Sequence, residues 1–484
     1  MKPALALAGL ALSCAAMCSG GEGDIGADFR GEAARFKKSC SGFAFNALAS
    51  CGELLFTDHP LHLAIGSLAP GNGLGTGVAL VGHWTTTNWR NTFDVDAVGS
   101  PNLSWRAGGY ATFVWAKVTP PKPRRGRPRP GSLNIDLTYE QPVIHAYAET
   151  DSLNKLGFFG IGPSTAETAR AFFGLRETVT GASFVLPVSK YLPFLERLNI
   201  SILGEGNGRF VDTRGETGQD SPSIEQIYSA ATAPGLLTRR GFAQFGEGVR
   251  LRPSFARDHV QLDYLVKYQQ YIGSDNYSFR RFTTDVSHTF QIYKNHFPPA
   301  YQDINGPDEC FVSKTNSTAT DSGATKELSC PPVLPSGPTR NYAGSLQLRF
   351  LLSESIIPAG HVEPFYFQPT LGGSDMNGNT MLASFQDYRF RAPNLMMFRA
   401  AFEHSIYKWP IGLALMVDEG KVALRRSDID FSHLQHSYSA GLTLHAGGFA
   451  MVYAMFSWGG REGTHTTVTA NTSLLGGSAR PSLN

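Results

Sequence analysis

The chain has 484 residues, with 42 Lys plus Arg against 40 Asp plus Glu and a net charge of +2. That balance excludes a nucleic-acid binder, which needs a basic surplus. Charged residues make up 17% of the chain, and 52 glycines with 11% aromatics favour strands over helices; ordinary soluble domains are about 25% charged.

Met1 and Lys2 give a positive start, and Ala4 to Leu12 is a short apolar run followed by small residues. This predicts a secretory signal peptide over residues 1–19, too short to span a bilayer. Residues 20–52 follow as a lead or plug segment. Cys40/Cys51 and Cys310/Cys330 are close pairs without C-x-x-C spacing. In an exported chain they are candidate disulfides rather than metal ligands. Gly71 to Gly77 lacks the Lys-Ser/Thr ending of a phosphate loop and reads as a glycine turn entering a strand. No H-E-x-x-H motif occurs, and no catalytic set, metal or cofactor is expected.

Period-two alternation recurs over residues 53–475. It is clearest at His259 to Ile272, where Val260, Leu262, Tyr264, Val266 and Tyr268 alternate with Gln261, Asp263, Lys267 and Gln269. Phe93 to Asp96, Leu133 to Leu137, Leu198 to Ile202, Phe282 to Ile292 and Leu346 to Phe350 repeat it. Such alternation predicts half-buried strands. A soluble sandwich would bury the apolar face. An outer-membrane barrel turns that face to lipid and lines a wet lumen with the other.

Three features favour the barrel. The strands reach the ~9–11 residues needed to cross a membrane. Trp105, Trp115, Tyr264, Tyr268, Tyr271, Trp409 and Trp458 lie near strand ends, as interfacial girdles do. Strands continue to the C-terminus without a helical domain. The expected fold class is all-β, a transmembrane antiparallel β-barrel of about sixteen strands over residues 53–475. The basic, Pro-rich Thr119 to Gly131 and the insertion over 295–339 are loops, and 476–484 is a tail. If the chain starts in the periplasm, strand parity places 295–339 on that side.

Two stretches carry a family resemblance. Phe158-Phe159-Gly160-Ile161-Gly162 is similar to the F-[FY]-G-[IL]-G stretch of the bacterial surface antigen family. Then come Pro364-Phe365, Leu371-Gly372-Gly373 and the run Leu382-Ala383-Ser384-Phe385-Gln386-Asp387-Tyr388-Arg389-Phe390-Arg391. Met416-Val417-Asp418-Glu419-Gly420-Lys421-Val422 follows. Order and spacing resemble that family's P-F, L-G-G, L-R-G-Y, R-F-R and F-V-D-x-G-x-V.

The family comprises the barrel domains of BamA, TamA and two-partner secretion transporters. The resemblance implies a sixteen-stranded barrel whose inward loop gates the lumen. Leu371, Gly372, Gly373, Phe385, Arg389, Phe390 and Arg391 belong to that loop, and Asp418 is the carboxylate that latches it. Ala383 stands where the family has the latching Arg, and Ser384 where it has Gly. Arg389 or Arg391 is therefore the expected substitute cation. Residues 20–52 are too few for the periplasmic POTRA modules of the family, so no client-capturing module is expected. The implied function is to insert or move polypeptides into or across the outer membrane, with lipid and unfolded polypeptides as partners. The alternative is a passive or gated pore, or a structural barrel that has lost that role.

Overall fold

The structure is a computed structural model, described for residues 61–86, 88–115, 141–192, 197–216, 222–253, 260–291, 344–406, 411–446, 449–460, 462 and 464–470. The signal segment, the 20–52 lead, Leu133 to Leu137, the 295–339 insertion, Trp409 and the 476–484 tail lie outside these residues. So do all four candidate disulfide cysteines, Cys40 and Cys51 in the first pair and Cys310 and Cys330 in the second. Neither pairing is therefore part of the architecture below.

The sixteen long strands are β1 Leu61–Ser67, β2 Leu74–Thr85, β3 Trp89–Gly99, β4 Trp105–Trp115, β5 Val143–Phe158, β6 Ala171–Pro187, β7 Ile200–Gly215, β8 Arg239–Leu251, β9 Val260–Gly273, β10 Phe279–Gln291, β11 Gly344–Ile356, β14 Asn394–Ser405, β15 Ile411–Ala423, β16 Gln435–Ala446, β17 Phe449–Trp458 and β18 Thr464–Ala470. Two short strands, β12 Thr370–Leu371 and β13 Phe390–Arg391, pair with each other in the β11–β14 connection. Each long strand pairs antiparallel with its neighbour in chain order, from β1 to β18.

This meander curls into a barrel. Tyr388 donates its hydroxyl to the Pro70 carbonyl in the first hairpin (3.3 Å), while Arg389 bonds Glu462 in the last hairpin. Two adjacent residues thus touch both ends of the sheet. The start of β1, the end of β10 and the start of β11 fall at the same end of the sheet. The β11–β14 connection enters the barrel from the other end.

The faces are inverted relative to a soluble protein. Asp94, Asp96, Arg106, Glu149, Asp151, Glu177, Arg209, Gln244, Gln269 and Asp418 are buried on the inner face. Their neighbours Val95, Phe210, Phe245 and Val417 are 54%, 60%, 56% and 39% exposed on the outer face. Buried charge is costly unless it is paired, and a network on β6–β9 supplies such pairing. Arg209 bonds Glu177 (2.9 Å) and Gln244 (2.5 Å), and Glu205 accepts from Gln244, Lys267 and Gln269.

Outward positions of β4 run Trp105, Ala107, Gly109, Ala111, Phe113 and Trp115. At ~3.3 Å per residue and a tilt near 40°, the two tryptophans stand about 25 Å apart, the height of a lipid-facing apolar band. Tyr271 corrects the girdle expectation. It points inward, is fully buried, and stacks on Phe279 at 4.4 Å.

The glycine turn holds as read. Gly71 and Gly73 adopt φ of +85° and +79°. Between them Asn72 is buried, with its amide oxygen accepting from Asn154 N (3.0 Å) and Lys155 N (2.9 Å) and its nitrogen donating to Lys155 O (2.8 Å). These bonds satisfy the backbone at the irregularity between Leu153 and Leu156 in β5.

Candidate lumen gate

The β11–β14 connection, residues 357–393, folds into the barrel. Its first anchor is aromatic. Phe365, Tyr366 and Phe367 form one buried 3-10 turn. Phe365 meets Phe158 and Phe173 edge-on at 5.0 and 4.9 Å, and Phe367 meets Phe242 and Tyr271 at 5.0 and 5.2 Å. The family-like Phe158 therefore serves as part of the loop's seat.

Polar groups fix this turn from both sides. Arg281, on the inner face of β10, pairs with Glu363 at 2.5 Å and donates to the Phe367 carbonyl. Arg391 donates to the Phe365 carbonyl at 2.6 Å. Arg391 itself is fully buried, and burial lowers its pKa to about 10, leaving it charged at neutral pH.

The second anchor is the latch. Asp418 accepts from Arg399 Nε (2.7 Å) and Arg399 Nη2 (2.9 Å), and from the backbone N–H of Leu382 (2.9 Å). Arg399 also donates to the Thr380 carbonyl of the loop. Ser384 N–H donates to Ser437 Oγ on β16 at 2.9 Å. Leu371, Met381, Leu382, Phe385 and Phe390 pack together with Leu395, Met397 and Val422 beneath these bonds.

The structure thus corrects one expectation. The cation on Asp418 is Arg399, its direct cross-strand partner, and neither Arg389 nor Arg391. Arg389 instead makes a two-bond pair with Glu462 (2.6 and 2.5 Å) and donates to Thr165 Oγ1 (2.8 Å) and Thr165 O (2.6 Å). Its guanidinium also lies over the rings of Phe159 and Phe390. Arg389 ties the loop to the β5–β6 and β17–β18 connections, and Arg391 ties it to its own aromatic turn. Glu363, Arg399 and Glu462 had no motif to mark them. The one signal for Arg399 was a lone cation in the apolar run Leu395-Met396-Met397-Phe398.

Leu371, Gly372, Gly373, Phe385, Arg389, Phe390 and Arg391 all lie in the loop, and all are buried. Gly372 and Gly373 turn the chain out of β12 with φ of +99° and +58°. A Cβ on Gly372 would stand 2.5 Å from Arg389 Cβ and 2.9 Å from the Gln386 carbonyl. Gly372→Ala should cost about 1–3 kcal/mol of local strain and open residues 372–389 to protease. Limited proteolysis with mass mapping of the nicks would check this.

Burial raises the pKa of Glu363, Asp375 and Asp387, the three carboxyls of the loop between 363 and 391. A raised folded-state pKa means the seated loop binds protons more tightly than the released one. Seating is then strongest below the ordinary values of 4.5 and 3.8, and weakens as pH rises through the raised values. Protease protection of the loop should therefore fall as pH rises above the ordinary carboxyl range. Glu363→Gln, which keeps an acceptor for Arg281, should flatten part of that fall.

The fold and site define a class: an inside-out antiparallel β-barrel with a connection anchored in its lumen. Solved structures are similar to this chain. CdiB from Acinetobacter baumannii matches with TM-score 0.45 and 10% identity over 85% of this chain and 59% of that one. BamA from Haemophilus ducreyi lacking POTRA domains 1-3 matches with TM-score 0.46 and 8% identity over 90% and 80%. CdiB from Escherichia coli matches with TM-score 0.45 and 10% identity over 86% and 61%. The chain thus spans about three fifths of the CdiB chains. No family model and no curated protein matches the sequence.

Proposed function

We propose that this protein is an outer-membrane β-barrel that inserts or moves polypeptides, with residues 371–391 as its gate. One observation carries the reading. The loop crosses the lumen between two unlike anchors, an aromatic seat on β5–β10 and an ion-paired latch on β14–β16. The latch is exchangeable. Asp418, Arg399 and the Leu382 N–H can each trade partners with water or with a client backbone. The Phe365 seat cannot do so without exposing its rings.

The proposed location is the bacterial outer membrane after signal removal, with lipid and unfolded polypeptides as partners and no enzymatic step. Reconstitution into liposomes tests this, with ion flux and insertion of an unfolded barrel client assayed together. Insertion with little steady flux supports the reading. Steady flux without insertion would sink it in favour of a pore.

A further inference from the structure

We propose that the outer face of β6–β8, at the end where the lumen loop is seated, binds the phosphate of a membrane lipid. The inference rests on the barrel spanning a bilayer.

One outward register row fixes the level. Trp105 lies across from Ser152, Ser152 from Arg176, Arg176 from Asp212, and Asp212 from Arg239. The row begins on the tryptophan that closes the apolar band of β4 and runs directly into arginines. Toward the other end, the same three strands present Phe184, Phe210 and Phe245, which are among the exposed large apolar side chains. Cations therefore crown an aromatic, lipid-facing surface.

Among the described residues the charge there is unbalanced. Arg176 is exposed and has no ion pair or hydrogen bond among the described residues. Arg214, outward on β7, is held by Ser152 Oγ (3.1 Å), the Leu153 carbonyl (3.3 Å) and Asn154 Oδ1 (2.6 Å), all neutral acceptors. Arg239 pairs with Asp212 at 3.2 Å. Among the described residues here, three guanidiniums thus face one carboxylate. Beyond them, Lys155 and Glu216 pair with each other at 3.5 Å. On the β11–β15 side, Lys421 pairs with Asp430 (2.5 Å) and Arg426 with Glu354 (3.1 Å).

A phosphate suits this surplus. Guanidinium forks bind phosphate with two parallel charge-assisted bonds. Arg214 is already oriented by its neutral acceptors, so little side-chain freedom remains to be lost. A lipid fits better than a free anion because its acyl chains would lie along Phe184, Phe210 and Phe245.

The full chain is refolded as wild type, as Arg176→Gln/Arg214→Gln, and as the matched control Lys421→Gln. Native mass spectrometry then counts retained lipid A carrying two phosphates, with its phosphate-free form and inorganic phosphate as separate arms. We expect one retained lipid on wild type and control, at least tenfold weaker retention on the double variant, and no displacement by inorganic phosphate. Equal retention by the double variant, or of the phosphate-free lipid, overturns the site. Displacement by inorganic phosphate overturns the lipid as its ligand. Flotation with zwitterionic vesicles runs in parallel. If wild type fails to float, the membrane reading itself falls, which is a separate result.

Discussion

Asp418→Ala is expected to release the lumen loop from β14–β16 and to raise ion flux through the reconstituted barrel. Asp418 is 1% exposed and holds both Arg399 bonds and the Leu382 N–H. Removing one partner of a buried pair leaves the other desolvated and uncompensated, at about 3–5 kcal/mol. The lower end applies, because the Arg399 side chain keeps 12% exposure and some water. Arg399→Leu in the Asp418→Ala background should restore part of the stability, since no charge is then stranded. Flux should stay high in the double variant, because Leu382 and Thr380 still lack their partners. The urea midpoint of the heat-modifiable gel band reads the stability, and dye-release liposomes read the flux. Unchanged flux in both variants would show that the latch does not gate.

The fold was legible because β-periodicity and polarity are printed residue by residue. The alternation at Val260 to Gln269 is the alternation of β9, and the inner set is Gln261, Asp263, Lys267 and Gln269. Tyr271 shows how residue type can mislead where parity does not. It lies on the same odd positions as those polar residues, so it belongs to the lumen whatever its aromatic character suggests. The site was half legible. Motif order located the loop and Asp418, since these are stretches of contiguous sequence. The partner of Asp418 was not, because it depends on register. Arg399 faces Asp418 only through the pairing of β14 with β15, and no local pattern fixes that register to one residue. Glu462 and Thr165 were further from reach. They meet Arg389 from connections 73 and 224 residues away in the chain, and only curling of the whole sheet brings them together.

Phe365→Ala is expected to produce the larger structural loss, and its contrast with the latch variants separates seat from gate. The ring is fully buried and touches Phe158, Phe173 and Tyr366, all edge-on. Truncating a buried phenylalanine costs about 3–5 kcal/mol, and the lost edge contacts add about 0.5–1.5 kcal/mol per pair. The cavity would open beneath Arg391, whose guanidinium bonds the Phe365 carbonyl, so the polar bonds of the seat should loosen with it. Near-ultraviolet circular dichroism should then lose the signal of the aromatic cluster, and the urea midpoint should fall further than in Asp418→Ala. In Asp418→Ala, the same signal should persist while flux rises. That pairing of outcomes follows from the chemistry of the anchors. A latch of ions and backbone N–H groups can exchange for water at modest cost, whereas a seat of rings cannot. The loop should therefore pivot on Phe365 and open at Asp418. If Phe365→Ala leaves the aromatic signal and the midpoint unchanged, the loop is not held at that turn and the pivot is lost.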